Sequence, residues 1–207
     1  ALIQAAYRVE QLLLSRLRLE GFNMAVCLHH DLIQYFNIEP HDQVAVADCL
    51  FSSIDGKADV VFYTGGRRLA FLGNRFENLE GDYTHLLRVT YADQAVIAKN
   101  TFKSNRGSRH CIKLHGPTWP AFPQVSRRIL IADNRFESGV NWLVALGPQN
   151  DAKDERVAEV VVERNHFLPT PGARICLYVN SCATTLRNNL IQDDHEAPAG
   201  GGHIYRS

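Results

Sequence analysis

The sequence of 207 residues carries no excess charge of either sign, because 22 basic residues balance 22 acidic ones. Proteins that bind nucleic acids without sequence preference normally have more basic than acidic residues, so this composition argues against a nucleic-acid partner. Long apolar runs are also missing. The longest, such as LLL, AVIA and VVV, fall far short of the roughly 20 residues that a membrane helix needs. We therefore expect neither nucleic-acid binding nor membrane insertion.

Cysteine is sparse, with five residues and no Cys-x-x-Cys pair, so a zinc knuckle has no support. The odd number excludes complete disulfide pairing within the chain. Small buried apolar residues are the simplest interpretation, although Cys176 and Cys182 are close enough in sequence to pair. Nucleotide-binding loops, the serine-hydrolase elbow and calcium-binding nonapeptide repeats are absent as motifs. No metal site is predicted, and a calcium requirement stays open.

What the sequence does contain is a repeat. Short apolar segments end in Asn, one variable residue and an aromatic residue, as in LAFLGNRFEN, AVIAKNTFKS, ILIADNRFES and VVVERNHFLP. TTLRNNLIQD is a weaker copy, and VAVADCLFSS has Cys in place of Asn. The spacings between key positions are 25, 26, 34, 31 and 23 residues, and these positions are Cys49, Asn74, Asn100, Asn134, Asn165 and Asn188.

Side chains alternate within each copy, and this period of two predicts strands. Glu163, two residues before Asn165, cannot easily be buried unpaired, so we expect the residues three and five positions before the key residue to face inward. These are Val46 and Val44, Phe71 and Leu69, Ile97 and Ala95, Ile131 and Ile129, and Val162 and Val160.

A second strand-like segment lies between successive copies, as in AVCLHH, VVFYTG, LLRVTY, CIKLHG, WLVALG and ICLYVN. Strands that recur about every 25 residues without a helical pattern predict a solenoid whose coils pair at about 4.8 Å. In such a solenoid the Asn side chains stack at one corner, and an aromatic stack fills the interior; its members are Phe76, Phe102, Phe136 and Phe167.

This pattern resembles the right-handed parallel β-helix proteins of the pectate-lyase-like superfamily over residues 44–192. We predict an all-β fold, a right-handed parallel β-helix (solenoid) of about seven coils, as one domain over residues 1–192 with a C-terminal tail at 193–207. The N-terminal RVEQLLLSRLRLEGF fits strands or a capping helix, and we favour strands. The resemblance implies an extracellular or periplasmic location, but it names no reaction because the fold hosts lyases, hydrolases, epimerases and non-catalytic proteins.

Two neighbouring strands, HLLRVTY and HCIKLHG, align as successive coils with polar residues facing outward. Arg88 then lies over Lys113, and two such cations about 5 Å apart favour a bound anion such as the carboxylate of a uronic acid. Neutralising that carboxylate acidifies the C5 proton, which His115 could remove as base with Tyr91 as acid. Two histidines at the strand entrance are predicted to bind substrate, namely His85 and His110.

Two long insertions flank this outward face, GPTWPAFPQVSRR and GPQNDAKDER. Insertions on one face of a solenoid often build a binding groove. Trp119 suits stacking on a sugar ring, and the second insertion supplies polar contacts from Gln149, Asn150 and Arg156. A solvated loop is the alternative interpretation.

A second candidate site lies in YFNIEPHDQVAV, which resembles the Asp-Pro-His-Asp/Glu segment of mannuronan epimerases. The counterparts are Tyr35, Glu39, His41 and Asp42. Glu39 stands where that family has Asp, and the extra methylene would displace the carboxylate by about 1 Å, enough to affect proton transfer. A chance match over four residues is the alternative.

These features predict a protein that engages an acidic polysaccharide, as a polysaccharide lyase or a uronate C5-epimerase if it is an enzyme. The alternatives are a non-catalytic surface or structural module and a tailspike-like glycoside hydrolase. Because an open solenoid end exposes unpaired strand edges, we also expect a homo-oligomer or a neighbouring domain that caps the end.

Overall fold

The computed structural model describes residues 1–5, 7–21, 24–28, 40–52, 55–56, 60–81, 85–115, 125–147, 156–192 and 204–206. These residues form strands and connecting turns, and every strand pairing between them is parallel. In that part of the chain no helix is long and apolar enough to cross a membrane. The strands are β1 Ile3–Gln4, β2 Glu10–Ser15, β3 Arg18–Glu20, β4 Val26–Cys27, β5 His41–Ala47, β6 Leu50–Ser52, β7 Asp55–Gly56, β8 Val60–Leu72, β9 Arg75–Glu77, β10 Glu80–Gly81, β11 His85–Ala98, β12 Thr101–Leu114, β13 Val125–Ala132, β14 Arg135–Leu146, β15 Arg156–Glu163, β16 His166–Phe167, β17 Ile175–Val179, β18 Cys182–Arg187, β19 Leu190–Ile191 and β20 Ile204–Arg206.

Ladder 1 is formed by the strands that precede the repeated Asn. It pairs β2, β5, the end of β8, the end of β11, β13, β15 and β18 in that order. The ten residues predicted to face inward are all buried, with at most 2% of each exposed. Leu12 and Leu14 continue the same alternation in β2, so the predictions of inward residues and of an N-terminal strand are confirmed.

Ladder 2 follows the Asn corner and contains the aromatic stack. It pairs β3, β6, β9, the start of β12, the start of β14, β16 and β19. The rings lie almost parallel, at angles of 4–13°, and Phe51 extends the predicted stack by one member. Successive centroids lie 4.7, 4.9, 5.0 and 4.8 Å apart along Phe51, Phe76, Phe102, Phe136 and Phe167.

Ladder 3 contains the intervening strands. It pairs β1, β4, the start of β8, the start of β11, the end of β12, the end of β14, β17 and β20. Ile204–Arg206 lie opposite Leu177–Val179, so these three residues of the segment expected to be a tail belong to the sheet.

The asparagines between ladders 1 and 2 stack as predicted, except for the last one. Each amide bonds to the next; Asn100 Nδ2, for example, donates to Asn134 Oδ1 at 2.9 Å and to Phe71 O at 2.9 Å. The final acceptor is Asn189, whose Oδ1 lies 3.0 Å from Asn165 Nδ2. The prediction of Asn188 was wrong by one position, because in the pair Asn-Asn it is the second residue that takes the corner position.

The residue before each corner position has a positive φ, between 52° and 66°. This row is Arg16, Asp48, Gly73, Lys99, Asp133, Arg164 and Asn188. Glycine is favoured at Gly73, because its φ of 66° is a left-handed conformation that a side chain disfavours. A second row of positive φ bends the chain at the start of ladder 1, at Gln11, Gln43, Arg68, Gln94, Arg128, Glu159 and Ala183. The stacked bends curl the parallel sheet, consistent with a solenoid.

Candidate functional site

The candidate site lies on the outward side of ladder 3. Arg88 pairs in register with Lys113, as predicted, and with Tyr63 on the other side. The Arg88 Cζ atom lies 5.1 Å from the centroid of the Tyr63 ring, a cation–π contact. Lys113 is only 1% exposed, and its Nζ donates to Gly147 O at 2.5 Å. The two cations therefore belong to one row, but the ammonium group is buried.

The two predicted histidines form a buried pair beside this row. His85 Nδ1 and His110 Nδ1 lie 2.9 Å apart, and the rings stack with centroids 4.8 Å apart. Burial lowers the pKa of both rings. For His85 the neighbouring His110 ring and Arg88 lower it further, and for His110 the Lys113 ammonium does so. At neutral pH both rings are uncharged, and one Nδ1 donates to the other.

Aromatic rings extend the histidine pair over the next coils. The rings of His110 and Trp142 form a T-shaped pair, with centroids 5.1 Å apart and an angle of 82° between the ring planes. Trp142 in turn stacks with Tyr178 at 4.8 Å. The sequence analysis did not single out Trp142 or Tyr178. The sequence did indicate Trp142, because it lies two residues before Val144 as His110 lies two residues before Ile112; Tyr178 lies at a different register position, opposite Ala145.

We call the basic groups at this place the cationic cluster. It comprises residues that act electrostatically on the histidine pair, together with the pair itself: His85, Arg88, Arg109, His110, Lys113 and His115. The rings of His85 and His110 are uncharged, whereas Arg88, Arg109 and Lys113 keep their positive charge. Such a site attracts an anion and repels a metal ion. In the described ranges no group of three His, Cys, Asp or Glu side chains is placed to hold a metal ion.

The two proposed proton-transfer groups lie at the ends of these strands. His115 directly follows β12, and its backbone N donates to Val89 O at 2.8 Å. Tyr91 lies at the bend of β11, where the register shifts between Val89 and Ala92, and it is fully buried. Burial raises the pKa of the Tyr91 phenol and the Asp93 carboxylate adds to this, whereas Arg67 opposes it. The phenol therefore keeps its proton at neutral pH, which suits an acid and not a base.

The second candidate site is only partly described, and its described residues lie on ladder 1. His41 Nδ1 accepts from Val9 N at 2.9 Å, and Nε2 bonds to Leu28 O; burial lowers the pKa of this ring. Asp42 accepts from Arg68 Nε at 2.7 Å, and this bond lowers the pKa of the carboxyl. Both side chains tie neighbouring segments together. Tyr35 and Glu39 lie outside the described residues.

The predicted contacts from the insertions are largely untested. Trp119, Gln149 and Asn150 lie outside the described residues, while Arg156 is exposed at the start of β15, opposite Val125. Of the cysteines considered for pairing, Cys176 is buried and Cys182 is exposed, and no disulfide joins these two described residues.

Ladder 2 carries a depression of about 370 Å³ that the sequence analysis did not anticipate. Its polar wall includes the Arg135–Glu137 ion pair, in which Arg135 Nε donates to Glu137 Oε1 at 2.8 Å. The sequence feature that could have indicated this polar wall is the Arg-x-Glu motif of the repeat. The same motif forms an ion pair between Arg75 and Glu77. The lining residues are Lys103, Ser104, Arg135, Glu137, Leu168, Pro169, Thr170 and Gln192.

Comparison of the chain with protein-family models, curated proteins and solved structures gave no match. The resemblance to β-helix proteins therefore depends on the repeat and on the parallel ladders.

Proposed function

We propose that this chain is a right-handed parallel β-helix of about seven coils, of the pectate-lyase-like type, that binds an acidic polysaccharide on the outward side of ladder 3. The three parallel ladders and the Asn corner support the fold. The cationic cluster supports the ligand, because a uronate polymer presents a carboxylate on each sugar.

The register of Arg88 with Lys113 is the observation that carries this proposal. Adjacent coils place the two side chains about 4.8 Å apart at their backbones. The charged groups extend toward opposite neighbours, Arg88 over the Tyr63 ring and Lys113 to Gly147 O, and a carboxylate bound along this row is attracted by both cations. The neutral histidine pair next to them offers hydrogen bonds without adding charge.

In the catalytic form of the proposal, Arg88 and Lys113 stabilise the negative charge that develops when the C5 proton leaves. His115 takes this proton. In β-elimination the C4–O bond then breaks, and the leaving oxygen receives a proton from Tyr91. In epimerisation Tyr91 instead donates its proton to C5 from the opposite face, and no bond to oxygen breaks.

A non-catalytic binding module is the second candidate, and the burial of two proposed catalytic side chains favours it. Lys113 is 1% exposed and Tyr91 is fully buried, so a polymer would have to displace covering groups before either side chain reached it. Both candidates imply that the protein meets its ligand outside the cytoplasm, in an extracellular or periplasmic setting.

The test is binding and turnover of polymannuronate, polyguluronate and polygalacturonate, with a neutral glucan for comparison. Affinity electrophoresis measures binding, ultraviolet absorbance detects unsaturated uronate, and proton NMR in D₂O detects exchange at C5. We expect binding to the uronate polymers only. Arg88→Gln should weaken it about tenfold or more, since a charge-assisted hydrogen bond contributes about 1.5–3 kcal/mol.

The matched control is Lys103→Gln, which removes an exposed cation from ladder 2 and should leave binding unchanged. Lys113→Met is the second variant, and its melting temperature shows whether the fold survives the loss of the buried ammonium. Binding without unsaturated product or C5 exchange selects the non-catalytic module. Equal binding to the neutral glucan, or no binding to any uronate polymer, contradicts the proposal.

A further inference from the structure

The protonation state of His41 is fixed by two hydrogen bonds to the backbone. The ring is fully buried at the start of β5. Its Nδ1 accepts from Val9 N at 2.9 Å, so Nδ1 carries no proton. Its Nε2 bonds to Leu28 O, and because a carbonyl oxygen only accepts, Nε2 carries the hydrogen. The geometry therefore requires a neutral ring in one tautomer.

These bonds join the first coil to the second. The first coil consists of β1, β2 and β3, and Val9 lies directly before β2. The second coil consists of β4, β5 and β6; Leu28 follows β4, where its N donates to Tyr63 O at 2.8 Å. Asp42 N donates to Val9 O at 2.9 Å. Both backbone groups of Val9 are thus held by the start of β5, and one of them is held by the His41 ring.

A proton on His41 Nδ1 is incompatible with this arrangement. It would set the ring N–H against the N–H of Val9, and the bond between them would be lost. Burial lowers the pKa of the ring; the bond to Leu28 O opposes this, and Arg8 adds to it. The closed arrangement therefore excludes the charged ring.

The charged groups near His41 do not compensate a charged ring. Those of the described elements that pack against it, in the first coil, in β5 and in β8, are Arg8, Glu10, Asp42, Arg67 and Arg68. Arg8 Nη2 lies 2.6 Å from Glu10 Oε1, and Asp42 Oδ1 accepts from Arg68 Nε at 2.7 Å. Both carboxylates are already paired, and the cations outnumber them.

We propose that His41 is a pH-dependent link between the first two coils, and that its protonation releases the first coil from the second. In the released state the ring is open to water, and Nδ1 can take up a proton. Because the released ring binds a proton more readily, the closed form is fully favoured above about pH 6.5 and becomes less favoured below it. This inference does not depend on the polysaccharide proposal.

The first coil is suited to local release. Within the described part of the chain, β2 pairs with β5 alone and β3 with β6 alone. Leu14 is the one residue of β2 that is buried. The outermost unit of a stacked fold opens more easily than the units inside it. The later coils keep their own pairings, so release of the first coil leaves them intact.

Two cysteines separate local release from global unfolding. Cys49 is 1% exposed in the second coil, and its Sγ lies 3.6 Å from Leu14 O of the first coil. Release of the first coil therefore uncovers this thiol. Cys111 is fully buried in β12, inside the stack, and is uncovered only when the later coils unfold.

The experiment labels the full chain with dithiodipyridine, which reacts with thiols at acid pH, and follows each cysteine by mass spectrometry of peptides. Each rate is divided by the rate for the urea-unfolded chain at the same pH, which removes the titration of the thiol itself. We expect the corrected Cys49 rate to rise by up to about 25-fold from pH 7 to pH 5, since the released ring has a pKa near 6.5. Cys111 should react at least about tenfold more slowly throughout.

His41→Gln tests the ring itself. Glutamine does not titrate, so the corrected Cys49 rate should become independent of pH between pH 7 and pH 5. His166→Gln is the matched control, because it removes a histidine from β16, on ladder 2 and away from the first coil. This control should keep the rise at Cys49.

Circular dichroism shows whether each variant is folded. The comparison of Cys49 with Cys111 in the unmodified chain decides the case on its own where His41→Gln does not fold. A Cys49 rate that does not change with pH, equal rates at Cys49 and Cys111, or a rise that survives in folded His41→Gln would overturn the proposal.

Discussion

Asn134 shows, at the scale of one residue, why a buried amide is needed at the corner. Its Oδ1 accepts from Asn100 N and from Asn100 Nδ2, both at 2.9 Å, and its Nδ2 donates to Ile97 O at 2.8 Å. The left-handed turn takes these backbone groups out of the ladder, and buried backbone groups need a partner.

Replacing this side chain should therefore be costly. Asn134→Ala leaves the Asn100 N–H and the Ile97 carbonyl without that partner, at about 1–3 kcal/mol each, so we expect the free energy of unfolding to fall by about 2–5 kcal/mol in urea denaturation. Asn188→Gly is the control, because Asn188 is exposed, lies outside the amide ladder and has a positive φ that glycine adopts without strain. A similar loss in both variants would argue against the ladder as a source of stability.

The histidine pair makes stability depend on pH. The pKa values of His85 and His110 are lowered by burial and nearby cations, so the unfolded chain binds more protons as pH falls below about 6.5. Stability is full above this value and declines below it, by up to roughly 2 kcal/mol per histidine between pH 6.5 and 5. Urea denaturation across this range measures the slope.

The double variant His85→Gln, His110→Gln should flatten that slope. It will not abolish it, because burial also lowers the pKa of His41. Thr185→Ala, which changes an exposed residue without an ionisable group, serves as the control and should keep the original slope. Carboxyl groups whose pKa is lowered by ion pairs, such as Asp133 and Glu163, lose their contribution only below about pH 4. An unchanged slope in the double variant would contradict the assignment of the pair.

Individual residues also show which structural features the sequence pattern predicts and which it does not. The alternation placed Glu163 outward, and the structure pairs it there with Arg164 and Arg187. It did not separate Asn188 from Asn189, because both are asparagine. The burial of Lys113 could not be predicted either, since alternation gives the direction of a side chain and not what covers it.

At the scale of the element, one coil lacks an asparagine at the corner between ladders 1 and 2. Cys49 occupies the position that asparagine holds in the next five coils. Its backbone N donates to Asn74 Oδ1 at 3.0 Å, while its Sγ lies 3.6 Å from Leu14 O. A thiol is a weak donor, so this carbonyl is poorly satisfied.

Cys49→Asn should therefore stabilise the protein. By analogy with Asn74, the new amide can donate to Leu14 O and to Asn74 Oδ1, and such bonds contribute about 1 kcal/mol in net terms. We expect a gain of that order in urea denaturation. Cys49→Leu, which has similar bulk and no amide, should not stabilise. A loss of stability in Cys49→Asn would show that the first coils are too tightly packed to accept the amide.

The repeat could be predicted at this scale because three kinds of evidence agree on one register. The inward apolar pairs, the Asn corner and the Phe stack all recur with the same offset, so an error in one would have broken the others. The cationic cluster could be predicted only in part. Arg88 and Lys113 follow from the register, whereas the contact between Trp142 and Tyr178 crosses from one coil to the next at different positions.

At the scale of the whole molecule, the pairing order implies that the coils are interchangeable units. Each strand pairs only with its counterparts in the adjacent coils, as Leu69 does with Val44 and Ala95. Stability in such a chain is a sum of terms between neighbours. A complete coil can therefore be removed without changing the register of the rest.

Deletion of residues 74–99 provides the test. It joins Gly73 to Asn100, so the motif reads LAFLG followed by NTFKS, and Asn100 takes over the bond from Cys49 N. We expect the shortened chain to keep its β-type circular dichroism and a cooperative unfolding transition, with about 1–4 kcal/mol less stability for the 26 residues lost. Deletion of residues 87–99 removes about half a coil, puts ladder 2 residues where ladder 3 continues, and should not fold. If both deletions unfold the protein, the coils are not independent units; if both fold, the register does not hold the molecule together.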